Sequence, residues 1–143
     1  MIKRMDHINV VVSDIALAKS FFLDLGFEEI DRASLSGDMF SKVVGLANID
    51  ADYVALALPG AKTKLELIQY INPRGAKDPF LGQANQLGVR HIAFEVDDIQ
   101  AEVERMKAKG VHFQSDIQTW EKSGKQLVYF LGPDGILLEM AQY

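Results

Sequence analysis

There is no cysteine anywhere in the chain, which removes disulfides from the forces that hold it and thiolate from its nucleophiles and metal ligands. That fits a reducing compartment, and a cytoplasmic location is expected. Any metal has to be held by nitrogen and oxygen. An excess of basic residues is lacking too: 15 Lys and Arg stand against 20 Asp and Glu, for a net charge of −5, and the basic residues are scattered. Nucleic acid is therefore not expected as a partner. No apolar run approaches the length of about 18 residues that a membrane span needs, and the opening "MIKRMDHINV" has no long apolar segment of the kind a signal peptide carries. Neither a membrane nor secretion is expected. At 143 residues the chain is about one domain long, enough to bury roughly 68–70% of the surface of the unfolded form. Histidine is scarce, with three in the whole chain, so the place of each is informative.

Two of the three stand in the same phrase. "MDHINVVVSDI" (5–15) and "VRHIAFEVDDI" (89–99) align at an offset of 84, and the register holds without a gap from His7 with His91 through Ile8 with Ile92, Val12 with Val96, Asp14 with Asp98 and Ile15 with Ile99 to Gly26 with Gly110. This is an internal repeat. In each copy an alternating strand meets an Asp suited to cap a helix. Apolar residues at helical spacing follow (Ile15, Ala18, Phe22, Leu25; Ile99, Val103, Met106), then a Gly that ends the helix before a new strand. "KLELIQY" (64–70) and "LLEMAQY" (137–143) match at an offset of 73, placing Glu66 opposite Glu139 and Tyr70 opposite Tyr143. "DYVALAL" (52–58) before Pro59-Gly60, and "QLVYFL" (126–131) before "GPDG", supply the third strand of each copy.

The expected fold is therefore α+β, two tandem βαβββ modules within a single domain spanning 1–143. Module 1 covers about 4–70, a Pro- and Gly-containing linker about 71–88, and module 2 about 89–143. Module 1 is longer by "SGDMFSKVVGLANID" (36–50), read as a short helix or loop. The linker has the composition for one turn of helix at "DPFLGQAN", and Trp120, in the irregular stretch "QTWEKSG", is read as packing on the surface of module 2, the alternative being a place in a loop that closes the pocket.

Strand side chains alternate sides. Ile8, Val10 and Val12 must cover the helix of module 1, leaving His7, Asn9 and Val11 on the other face; Ile92, Phe94 and Val96 do the same in module 2, leaving His91, Ala93 and Glu95. In the closing strands Leu65 and Leu67 oppose Glu66, and Leu138 and Met140 oppose Glu139. Two histidines and two glutamates thus occupy equivalent faces, two per module. A lone strand histidine is more often a satisfied or surface residue, and a lone strand glutamate is usually solvated. Repetition of both with the same parity is not explained that way. Imidazole suits Zn, Ni or Co and carboxylate suits harder ions such as Mn, so the set points to a divalent metal, with open positions for substrate. Asn9, Val11, Ile68, Tyr70 and Leu137 share the face and are candidate pocket residues. His112, whose repeat partner is Glu28, is given no ligand role.

These phrases, in the order "DHINVVVSDI", "KLELIQY", "RHIAFEVDDI", "KAKGV" and "GPDGILLEM", resemble the vicinal oxygen chelate superfamily, which includes glyoxalase I, methylmalonyl-CoA epimerase, extradiol dioxygenases and the fosfomycin and bleomycin resistance proteins. The resemblance covers nearly the whole chain. It implies a cupped mixed β-sheet around a metal, usually within a homodimer, with His7, Glu66, His91 and Glu139 as ligands. The order His, Glu, His, Glu is similar to glyoxalase I, whereas fosfomycin-type transferases and extradiol dioxygenases typically lack the Glu66 equivalent and bleomycin-binding proteins lack the ligands. The activity implied is that of a metal-dependent lyase or isomerase removing a proton next to a carbonyl of a small oxygenated substrate, with Glu139 as the ligand that loosens and acts as base. Val11 stands where glyoxalase I commonly has an arginine that helps to hold glutathione, leaving the substrate open. The alternatives are an acyl-CoA epimerase, for which "TKLELIQY" and "AKDPFLGQ" are similar in phrase, and a non-catalytic module that binds a small molecule. A two-base epimerase needs a second carboxylate, and between Arg32 and Leu65 the candidates are Asp38, Asp50 and Asp52.

Overall fold

The structure, a computed structural model, describes residues 1–143 and divides into two units, Met1–Lys77 and Asp78–Tyr143. The first contains β1 (His7–Val11), α1 (Ile15–Asp24), β2 (Glu28–Ser36), α2 (Asp38–Val44), β3 (Asp50–Ala57) and β4 (Lys64–Asn72). Its four strands form a mixed sheet in the order β1-β4-β3-β2, β1 and β4 parallel and the other pairs antiparallel. The second contains β5 (His91–Glu95), α3 (Ile99–Ala108), β6 (Gln118–Trp120), β7 (Lys125–Leu131), a 3₁₀ turn (Pro133–Gly135) and β8 (Leu137–Gln142). Its sheet has the same plan, β5-β8-β7-β6, with β5 and β8 parallel. Both units are βαβββ, as the repeat requires, and the segment 36–50 of the first holds the extra helix α2.

The two helices that follow the opening strands are built by the same devices. Asp14 and Asp98 cap them, each accepting a hydrogen bond at 3.0 Å from a backbone N–H of the first turn, that of Leu17 and of Ala101. A second free N–H at each start, that of Ile15 and of Ile99, donates at 2.8 Å to the side-chain amide oxygen of Gln69 and of Gln142 in the closing strand. Both helices end alike: Gly26 and Gly110 take positive φ of 93° and 84°, and Phe27 and Val111 return their N–H to Phe22 and Met106. A side chain at either glycine would be forced into the left-handed region. Because Asp98 satisfies one of the otherwise unpaired donors at a helix start, Asp98→Ala is expected to lower stability by about 1 kcal/mol. Chemical denaturation, compared with a neutral exposed substitution, checks it.

The cores sit between each sheet and its helix. In the first unit Ala18, Phe22, Leu56 and Leu67 are fully buried, with Phe22 edge-on to Phe27; in the second, Ile99, Met106, Phe130, Leu138 and Met140 are. The rows Val10, Leu65, Leu67 and Leu138, Met140 are those that alternation assigns to the helix side. The opposite faces are thereby left to His7, Glu66, His91 and Glu139.

Trp120 corrects the reading from sequence. It belongs to strand β6, not to an irregular stretch, and its side chain is exposed at 55% rather than packed on the unit. The three-residue strand is too short to show a period. The linker also starts later than its composition indicates, since β4 continues to Asn72.

Candidate functional site

In the first unit the site grows from the parallel pair β1 and β4, where Asn9 lies opposite Glu66 and His7 two residues along on the same face. This places His7 Nε2 at 3.3 Å from Glu66 Oε2. The other ring nitrogen, Nδ1, lies 3.0 Å from Asp6 Oδ2, and Arg4 donates to Asp6 Oδ1 at 2.8 Å. With Nδ1–H donating to Asp6, the lone pair is left on Nε2, the atom that faces Glu66. The same hydrogen bond, with the Arg4 charge behind it, holds the Asp6 carboxyl below its usual range. Glu66 is fixed at its second oxygen, where the Tyr53 hydroxyl donates to Oε1 at 3.1 Å. Burial, and after it the negative charge of Glu66, push the Tyr53 phenol up to about 12, so it remains a donor at neutral pH.

The second unit repeats the design with one change. Ala93 of β5 lies opposite Glu139 of β8, and His91 Nε2 stands 3.1 Å from Glu139 Oε2. The His91 ring rests against Tyr129, the cross-strand partner of Glu139, with centroids 4.9 Å apart. At Oε1, however, the donor is the ammonium of Lys125, at 2.8 Å. The hydrogen bond to Glu139 raises the Lys125 pKa above its ordinary value. The Glu139 side chain is 5% exposed, and a carboxylate so buried is costly unless it is paired and hydrogen-bonded. Lys125 supplies the pairing.

No three or more histidine, aspartate or glutamate side chains are gathered at metal-binding distance; the structure shows one His–Glu pair in each unit. The pairs fit a metal. Donors about 2.1 Å from one ion lie roughly 3.0 Å apart in octahedral and 3.4 Å apart in tetrahedral geometry, and the observed 3.3 and 3.1 Å fall in that interval. Imidazole nitrogen and carboxylate oxygen are also the donors expected of a site without cysteine.

Of the candidate pocket residues, Asn9 and Val11 are exposed and Ile68 and Tyr70 half-buried, while Leu137 lies opposite His91 but is buried at 2%. His112 is exposed, its carbonyl holding the N–H of Leu131. Asp52 is cross-strand to Gln69, the residue that caps α1, and therefore sits on the helix side of the sheet. It does not share the Glu66 face. The carboxylate that does is Asp31: β2, β3 and β4 align Asp31, Ala55 and Glu66 in one cross-strand row.

Sequence reading missed Tyr53, Lys125, Asp6 and Asp31. The first two lie on the glutamate face of β3 and β7, but that parity follows from hairpin register. Asp6 directly precedes β1 and is not bound to strand alternation, so its contact with His7 is signalled by adjacency alone. Asp31 follows a bulge between Glu29 and Asp31 that breaks the period of two.

Comparison with known proteins gives concordant matches. The family model of the glyoxalase/bleomycin resistance protein/dioxygenase superfamily matches residues 4–140. The mitochondrial methylmalonyl-CoA epimerase of Mus musculus is 31% identical over 97% of this chain and 72% of its own length. The uncharacterized protein YaeR of Escherichia coli is 30% identical over 97% and 95%. Among solved structures, a glyoxalase family protein from Bacillus cereus superposes with a TM-score of 0.91 at 28% identity, covering 99% of this chain and 95% of that one. The fosfomycin resistance protein FosX from Listeria monocytogenes, solved with Mn(II) and sulfate, shares the fold with a TM-score of 0.65 at 21% identity, covering 100% and 94%.

Proposed function

The chain belongs to the glyoxalase/bleomycin resistance protein/dioxygenase superfamily, the vicinal oxygen chelate group, and on that premise we propose that it is a divalent-metal-dependent lyase or isomerase of glyoxalase I type. It moves a proton at the carbon next to a carbonyl of a small oxygenated substrate. The observation that carries this reading is the repetition of one His–Glu pair in both units, with donor separations of 3.3 and 3.1 Å. His7, Glu66, His91 and Glu139 would hold one ion of Zn, Ni, Co or Mn, the two pairs coming from one chain or from two copies in a homodimer. When bound, the ion supplies Lewis-acid polarisation of the carbonyl, which makes the neighbouring proton removable. Asp6 fixes the tautomer of His7 and Tyr53 fixes the orientation of Glu66. Glu139 accepts the proton on Oε2, the oxygen that Lys125 does not hold.

Two observations favour a second reading, epimerisation of an acyl-CoA. One is the likeness to the mouse epimerase at 31% identity; the other is Asp31, a carboxylate in the Glu66 row that could serve the opposite face of the carbon.

The test is proton exchange in deuterated solvent by protein loaded with one of these ions. Deuteration and inversion of methylmalonyl-CoA would select the epimerase reading. Conversion of an α-hydroxycarbonyl compound, with no exchange in the thioester, would select the glyoxalase type. Failure of both, with stoichiometric retention of an apolar compound by metal-free protein, would replace catalysis by a binding module.

A further inference from the structure

The two glutamates differ in the charge of what holds them. Each presents Oε2 to a histidine Nε2, but Oε1 of Glu66 accepts from the neutral hydroxyl of Tyr53 at 3.1 Å, whereas Oε1 of Glu139 accepts from the ammonium of Lys125 at 2.8 Å. A neutral donor orients a carboxylate and leaves its charge free for a cation. An ammonium competes for that charge and repels a second cation beside it. The competitor is also firmly placed: Lys125 belongs to β7, its side chain is 17% exposed, and Nζ lies 5.3 Å from the centroid of the Tyr143 ring.

We propose that Lys125 is a positioning residue that makes Glu139 the exchangeable carboxylate of the pair of glutamates, weakening the hold of the site on a divalent cation and keeping Glu139 paired whenever it is free of one. The inference rests on the metal-binding reading above. A carboxylate 5% exposed that gave up a cation would be stranded as a buried charge; with Lys125 on Oε1 it is not. Glu66, 17% exposed and held by a phenol, has no such substitute cation and stays the fixed member.

The experiment is calorimetric titration of the chelator-stripped full chain with Mn(II) and with Co(II), for wild type, Lys125→Met, Lys125→Gln, Lys125→Arg and Tyr53→Phe, each checked by its melting curve. Removing the charge is expected to tighten binding roughly tenfold in both Lys125→Met and Lys125→Gln, and Lys125→Arg to stay within about twofold of wild type. Tyr53→Phe, which removes only an orienting donor, should weaken binding by about tenfold. Lys125 substitutions that weaken binding as Tyr53→Phe does, or leave it unchanged, would overturn the inference while a metal-binding wild type keeps the functional reading intact. A wild type that takes up neither ion would overturn both.

Discussion

Glutamine at position 139 is expected to reduce turnover by about a thousandfold, within the range of roughly 10² to 10⁴ that a positioned general base contributes. The amide keeps the volume of the side chain and an oxygen that can still face Lys125 or His91, but it takes up no proton. Glu66→Gln provides the contrast. It removes the same charge from the repeat-related position, where the residue only holds, so the expected loss is in metal affinity, about tenfold, with turnover at saturating metal within about tenfold of wild type. Steady-state rates for the two variants at several metal concentrations separate these effects. Equal losses, both recovered by added metal, would reduce Glu139 to a ligand. Full activity in Glu139→Gln would remove it from the chemistry.

The same variant touches stability. Glu139 is buried and balances the Lys125 ammonium at 2.8 Å, and taking one partner from such a pair leaves the other charge poorly compensated. Glu66 faces a neutral phenol, so its loss strands no charge. Melting curves of the two metal-free variants should therefore differ, with Glu139→Gln the less stable.

What the sequence made legible was whatever repeats or alternates. The 84-residue offset carries the caps Asp14 and Asp98, the glycines 26 and 110 and both histidines, because these are local devices that each copy must build to enter and leave its helix. Period-two alternation places Glu66 and Glu139 on the face opposite the core for an equally local reason. Tyr53, Lys125 and Asp31 were not legible, since each reaches its place through the register of a neighbouring strand, and that register is set by turns and a bulge. The difference between the units lies among these illegible residues. The repeat keeps the His–Glu pairs, while Tyr53 and Lys125, which hold the glutamates from behind, occupy different positions of β3 and β7 and carry different charge.

Alanine in place of either His7 or His91 is expected to empty the metal site without unfolding the chain. Four-ligand sites bind zinc with about 10–16 kcal/mol, so one ligand is worth roughly 3 kcal/mol, more than a hundredfold in affinity. Metal content by elemental analysis should fall from about one ion per chain to less than about a tenth. The double variant should lose little more than either single one, because the two histidines act on one equilibrium. Folding should be nearly untouched, since the side chains are 42% and 33% exposed and exposed substitutions usually shift stability by no more than about 0.5 kcal/mol. His112→Ala is the control, an exposed histidine outside the pairs, and should keep its ion. A mixture of His7→Ala and His91→Ala chains adds a second decision. If each ion draws both pairs from one chain, mixing restores nothing; if the pairs come from two chains of a dimer, roughly a quarter of the sites in a statistical mixture regain all four ligands. Retention of a full complement of metal by the single variants would leave both histidines structural, and the proposed chemistry would lose its foundation.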